Sequence, residues 1–332
     1  MTNFPPRNFP RTRLRRPRQA EWSRRLVAET RLTPADLIWP IILREGAGVR
    51  EPVASLPGVE RVSIDLAVEA ARAARDLGVP ALALFPFTGP EHRSPRGDLA
   101  LDRGNLMCRA AEAIKAAVPD VGLIADVALD PYTDHGHDGV LVGGEIDNDA
   151  TVEILVRQAI VQAGAGYDVV APSDMMDGRV GAIRDGLEAA GYKNTQIVSY
   201  AAKYASALYG PYRDAIGASG VLKGDKRTYQ MNPANTDEAV HEMALDVAEG
   251  ADGVMVKPAG FYLDVIRRAR VEIGAPTYAF QVSGECAMIE AAGANGWIDR
   301  DRAVMESLMA IKRAGADAII SYFAPWAARA LG

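Results

Sequence analysis

Eight short apolar runs recur along this chain, bounded by turn residues and mostly separated by stretches of helical periodicity, and no other feature limits the fold as tightly. The runs cover 37–43, 81–85, 122–129, 168–171, 196–200, 253–256, 277–282 and 318–322. The helical stretches include 64–77, 106–117, 151–163, 236–248 and 302–314. Strands buried on both faces read as unbroken apolar runs, and strand–helix alternation implies parallel pairing. Eight such units within 332 residues predict an α/β fold, a (β/α)8 TIM barrel. A doubly wound open sheet is the alternative, but no G-x-G-x-x-G follows the first run. With 48% hydrophobic and 24% charged residues the chain can bury a large core.

The segment before the barrel has a different character. Residues 1–20 carry Arg7, Arg11, Arg13, Arg15, Arg16 and Arg18 and no acid. Phe4, Pro5, Pro6, Phe9, Pro10 and Pro17 are interleaved, so a regular helix is not expected there. The predicted division is an extended N-terminal arm at 1–22 and a catalytic barrel at 23–332. The net charge of −6 less the +6 of the arm leaves about −12 on the remainder, so the arm suits an acidic, apolar patch of a neighbouring subunit. A presequence and a nucleic-acid-binding tail are the competing readings of the arm. An overall acidic chain argues against nucleic acid as main partner, and no apolar run approaches the length of a membrane span. Two cysteines, Cys108 and Cys286, make neither a disulfide framework nor a zinc site and fit a reducing cytoplasm.

Two runs end in lysine: V-S-Y-A-A-K-Y delivers Lys203 and G-V-M-V-K-P delivers Lys257. A lysine in water has a pKa near 10.4, so only about one in a few thousand is neutral at pH 7. Burial and a second ammonium both favour the free amine, which can add to a ketone and form a Schiff base. The plain alternative is a surface charge closing each strand. Barrel enzymes place their chemistry at strand carboxyl ends, and those ends also hold Asp126, Asp130, Asp134 and Asp138, then A-P-S-D-M-M-D-G-R, V-S-G-E and S-Y-F-A-P-W. The long polar connection from Lys203 to about Asn235 reads as a lid or binding loop.

The segments V-A-L-D-P-Y-T-D-H-G-H-D-G, A-P-S-D-M-M-D-G-R, S-Y-A-A-K-Y-A-S, Y-G-P-Y-R-D-A, K-R-T-Y-Q-M-N-P-A-N, V-M-V-K-P-A-G and Q-V-S-G-E occur in this order from about Pro10 to the C-terminus. Together they resemble the porphobilinogen synthase (δ-aminolevulinic acid dehydratase) family. That resemblance implies a TIM barrel with an N-terminal arm and cytoplasmic tetrapyrrole synthesis. It also implies condensation of two 5-aminolevulinate molecules with loss of two waters. By the same resemblance Lys203 and Lys257 match the two Schiff-base lysines. Arg213, Lys226 and Gln230 match lid residues that hold one substrate carboxylate, and Ser283 and Tyr322 match those that hold the other. Asp130, Asp138 and Ser173 match polar groups near the substrate amino group. The family also implies a homo-oligomer, with the octamer as the expected assembly and the hexamer as its alternative, and neither a nucleic-acid nor a membrane partner.

The chain departs from the zinc-dependent members. Where those carry three cysteines it has Ala128, Asp130 and Asp138, and an alanine cannot ligate a metal. The resemblance is to the aspartate-rich branch, so zinc and organic cofactors are not expected, whereas magnesium could assist in the active site or allosterically. Glu242 matches the glutamate that holds an activating magnesium in many members. His135 and His137 flank the aspartates and are weaker metal candidates. Phe280 and Cys286 stand where tyrosines are expected. Two rivals remain at this stage: a class I aldolase, which needs one Schiff base, and an RNA-binding barrel working through its basic arm.

Overall fold

The computed structural model describes residues 8–222 and 224–332. Phe4, Pro5, Pro6, Arg7 and Lys223 therefore lie outside the described residues. Two compact units divide the chain, Met1–Arg31 and Leu32–Gly332. The described part of the first contains a short 3-10 turn, Arg16–Arg18, and helix α1, Glu21–Leu26, with Phe9, Leu14, Trp22 and Leu26 exposed.

The second unit is the barrel. Its strands are β1 Leu37–Leu43, β2 Ala81–Pro86, β3 Gly122–Val127, β4 Val169–Pro172, β5 Gln196–Lys203, β6 Gly253–Lys257, β7 Thr277–Gln281 and β8 Ala318–Ser321. Each pairs in parallel with the next, and β8 closes on β1 through Leu37↔Ile319 and Ile38↔Ile320. Closure removes both sheet edges, and nearly all the strand residues are buried, which is why the runs read as continuously apolar. The outer helices include α2 Ile64–Asp76, α3 Leu106–Ala117, α4 Asn148–Ala165 and α5 Arg179–Ala189. They continue with α6 Gly210–Ala215, α7 Asp237–Ala248, α8 Leu263–Arg268, α9 Ser283–Ala294, α10 Arg300–Ala314 and α11 Ala324–Leu331. Their starts are chemically marked. Asn105 accepts from Cys108 N–H at 2.9 Å at the head of α3, and Asp147 accepts from Ala150 N–H at 2.8 Å at the head of α4.

The pairing of β5 with β6 is irregular where it matters. Gly253 pairs with Val198 and Val254 with Ser199, but Val256 pairs with Ala202 and Lys257 with Lys203. One extra residue has entered β5 between Ser199 and Ala202, a β-bulge. Regular pairing of the same residues onward from Ser199 would set Lys257 beside Ala202, and the bulge prevents that. With it, the two lysines share one rung.

Candidate active site

The two lysines end their strands in one rung but in different surroundings. Lys203 Nζ donates to Asp138 Oδ1 at 3.0 Å and to the carbonyl of Ser173, just past the end of β4. Asp138 is fully buried and also accepts from Tyr229 OH at 3.0 Å and pairs with Lys226 at 2.6 Å. Burial alone would raise the Asp138 pKa, but Lys203 and Lys226 outweigh it and hold the carboxyl well below its ordinary range.

Lys257 has an aromatic box instead. Its Nζ lies 4.5 Å from the ring centre of Phe280, 5.0 Å from Tyr200, 5.1 Å from Tyr212 and 5.4 Å from Tyr209. Ring faces attract an ammonium weakly, but four of them also exclude the water that would solvate it. Burial and then the nearby Lys203 charge push Lys257 down to about 7, against a smaller pull upward from Asp126, Asp130 and Asp138. A far larger share of Lys257 than of a lysine in water is therefore free amine near neutrality. Asp126, at the end of β3, is pushed up to about 6 by burial and by Asp130, and its Oδ1 has no hydrogen-bond partner among the described residues.

A cavity of about 20 Å³ separates these groups, lined by Lys203, Lys257, Asp130 and Ser173 from the barrel and by Arg213, Lys226 and Gln230 from the connection after β5. That connection lies down on the barrel mouth. Lys226 pairs with Asp130 at 3.2 Å as well as with Asp138, and a Cβ on Gly136 would come within 3.0 Å of Leu222 backbone atoms. Burial disfavours the Lys226 ammonium, yet Asp130 and Asp138 overcome this and raise its pKa. Two arginines fasten the base of the connection. Arg61 donates to the carbonyls of Ala215 (2.7 Å) and Asp214 (2.6 Å), and Arg93 to those of Ile216 (3.1 Å), Thr88 (3.2 Å), Thr133 (3.3 Å) and Asp130 (3.4 Å). A larger hollow of about 890 Å³ reaches Gln230, Tyr229 and Glu242 but neither strand-end lysine. Chemistry therefore belongs to the smaller space.

Ser283 and Tyr322 do not line that cavity. Ser283 opens α9, and its Oγ accepts from Tyr212 N–H at 2.9 Å, one residue from Arg213. Tyr322, just past β8, has its ring 6.4 Å from Phe280, and its buried hydroxyl has no partner among the described residues. Both stand on the Lys257 side. Phe280 leaves its wall of the box without a hydroxyl, and the Cys286 thiol is buried and pushed up by that burial.

The donor set does not fit a caged metal ion. Among the described residues no group of three or more His, Cys, Asp or Glu side chains could hold one. Asp130 and Asp138 already face ammonium groups. On α7, Glu242 Oε1 accepts from Arg179 at 2.9 Å, and Arg179 also pairs with Asp246 at 2.8 Å, so a protein cation stands beside that carboxylate. His135 and His137 are engaged by other segments: His135 Nε2 meets Pro95 O at 3.2 Å, and His137 Nδ1 meets Tyr229 OH at 3.0 Å.

Reading the sequence missed Tyr200, Tyr209 and Tyr212 as the box around Lys257, and Tyr229, Arg93 and Arg61 as supports. The tyrosines at 209 and 212 carried a faint signal, since they flank the lid arginine in A-L-Y-G-P-Y-R. Little that is local marked the arginines, whose carbonyl partners, Thr88 apart, lie 37 to 154 residues away.

With this geometry in hand, the similarity to known proteins is specific. A family model described as delta-aminolevulinic acid dehydratase matches residues 11–330. The delta-aminolevulinic acid dehydratase of Bradyrhizobium diazoefficiens is 60% identical over 319 residues, covering 96% of this chain and 90% of that one. That of Rhodobacter capsulatus is 52% identical over 324 residues, covering 98% of each. Among solved structures, the delta-aminolevulinic acid dehydratase (porphobilinogen synthase) of Toxoplasma gondii, in complex with the reaction product porphobilinogen, matches with a TM-score of 0.94. It is 45% identical and covers 96% of this chain and 91% of that one.

Proposed function

The chain belongs to the delta-aminolevulinic acid dehydratase family, and from that premise we propose how its residues carry the reaction. The enzyme joins two molecules of 5-aminolevulinate into porphobilinogen with loss of two waters. In our reading Lys257 and Lys203 each add through Nζ to the ketone of one substrate molecule. Each imine forms with loss of one water, which accounts for both. The carbon–carbon bond and the carbon–nitrogen bond of the product then expel the two lysine amines, so the enzyme is regenerated. The observation that carries this reading is the shared rung of Lys203 and Lys257 in one enclosed cavity.

The remaining roles follow from charge. Arg213, Lys226 and Gln230 hold one substrate carboxylate, because a carboxylate is best held by cationic donors and an amide on a closing loop. Ser283 and Tyr322 hold the other, and the unpartnered Tyr322 hydroxyl supports that. Asp130, Asp138 and Ser173 receive the substrate ammonium. Asp130 and Asp138 already hold the ammonium of Lys226, which can exchange with a substrate amine as Lys226 turns to a carboxylate. Zinc plays no part in this reading, because Ala128 offers no ligand. No step is routed through magnesium; Glu242 Oε1 already accepts from Arg179.

We propose a cytoplasmic homo-oligomer, an octamer with the hexamer as its alternative, built through the basic arm on the acidic remainder. Among the described residues no helix is long and apolar enough to cross a membrane. Borohydride reduction in the presence of 5-aminolevulinate tests the mechanism. Peptide mapping should find covalent adducts on Lys203 and Lys257. Adducts confined to other lysines would overturn it.

A further inference from the structure

Resting on the Schiff-base reading of Lys257, we infer that Glu285 is a positioning residue for that lysine, joining its strand end to the one that presents Ser283. Glu285 lies in the first turn of α9 and is almost fully buried. Among the described residues its carboxylate reaches no cation. Oε2 accepts from Val282 N–H at 2.7 Å and from Ala259 N–H at 3.3 Å, and Oε1 accepts from Gly260 N–H at 2.6 Å. Val282 precedes Ser283 at the end of β7, whereas Ala259 and Gly260 follow Lys257 and Pro258 at the end of β6. One carboxylate thus rivets two neighbouring strand ends.

The chemistry explains why an acid is needed. Pro258 has no N–H, so the first backbone donors after the lysine are those of Ala259 and Gly260, and buried donors require acceptors. The two oxygens of a carboxylate, held in the first turn of a helix, satisfy three of them at once, and these donors work against the burial that pushes Glu285 up to about 7. Gly260 makes the approach possible: a Cβ there would stand 2.5 Å from Glu285 Oε1. On the opposite side the Lys257 carbonyl accepts from Tyr204 N–H at 2.9 Å and Tyr209 OH at 3.3 Å. Lys257 is therefore held from β5 through its own carbonyl and from β7 through Glu285. Loosening the second hold lets Nζ leave its aromatic box and regain water, so its reactivity near pH 7 falls while Lys203, held by Asp138, is untouched.

Glu285→Gln replaces one acceptor oxygen with a donor facing a backbone N–H. It should lower kcat/KM by about tenfold to a hundredfold, mostly through kcat. Borohydride trapping at Lys257 should drop and its pH midpoint move upward, with trapping at Lys203 unchanged. Gly260→Ala, which displaces the carboxylate without removing it, should do the same and carries the test if Glu285→Gln does not fold. Glu290→Gln, on the same helix but paired with Arg300, should leave the Lys257 midpoint in place. A pH midpoint at Lys257 unchanged in both clamp variants, or equal loss of both adducts in step with Tm, would overturn the assignment. The wild-type adduct reads the proposed function and the variant-to-wild-type ratio reads the clamp, so the two can fail separately.

Discussion

Lys203 and Lys257 occupy equivalent positions on adjacent strands, yet one faces carboxylates and the other faces rings. The Lys203 ammonium has Asp138 at 3.0 Å and the Ser173 carbonyl as compensation for leaving water. Lys257 has four aromatic side chains within 5.4 Å and Lys203 as a neighbour of the same sign. Backbone position therefore does not set the chemistry of a strand-end lysine. The side chains delivered by flanking loops do, because a desolvated charge keeps its proton only when an opposite charge pays for it. The pair differs accordingly: the Lys257 amine has its hold on the proton loosened by burial, whereas Lys203 Nζ is fixed in direction by Asp138 and the Ser173 carbonyl.

The largest test of that division is removal of each amine. Lys257→Met and Lys203→Met should each abolish porphobilinogen formation in the colour reaction for pyrroles, while leaving the trapped adduct on the other lysine. Turnover persisting in either variant would mean that one imine suffices. Next comes Asp138→Asn, which strips both Lys203 and Lys226 of their common counter-ion. Activity should fall roughly a hundredfold, the scale of a buried charge losing its partner. Wild-type kcat with unchanged adduct yields would erase the contrast between the two lysines.

The pH dependence sharpens the comparison further. A base whose pKa is lowered to about 7 is protonated and inert below that value and free above it. Trapping at Lys257 should thus rise about tenfold per pH unit below neutrality and level off above it. Lys203, Asp126, Asp130 and Asp138 all face this amine and set the midpoint together. A midpoint near that of free lysine would show that the aromatic box does not depress it. The smallest expected effect is from thiol reagents. Cys108 and Cys286 are buried, and burial raises both thiols, Cys108 to about 11, so brief treatment of the folded enzyme should change turnover by less than about twofold. Inactivation by a zinc-specific chelator, reversed by Zn2+ alone, would contradict the reading of Ala128, Asp130 and Asp138.

The barrel was legible because β-strands buried on both faces cannot hide: β1 spans the very residues of its apolar run, and the other seven begin or end within three residues of theirs. Helix α4 begins at Asn148, three residues before its periodic pattern, because Asp147 caps it, and α5 escaped because its glycines blur the apolar stripe. The lysines could be read as a pair because each closes an apolar run. What surrounds them could not. The aromatic box, the Arg61 and Arg93 fastenings and the Glu285 rivet are made of partners far apart in sequence, and local pattern carries no record of them. The resemblance makes Lys226 a ligand for a substrate carboxylate, and its pairing with Asp130 and Asp138 has no local signal in the sequence.

The bulge in β5 carries a consequence for how this site can change over generations. Side chains on a strand alternate faces, so a one-residue slip turns every following side chain over. A codon gained between Ser199 and Ala202, with the bulge still one residue deep, would set Lys257 beside Ala202 and carry Lys203 off its rung, whereas a codon lost there would restore regular pairing with the two lysines still abreast. The bulge could absorb either change, but the paired amines survive only the loss. Substitutions can tune this enzyme gradually, whereas a gain of length at this one place separates the two amines in a single step.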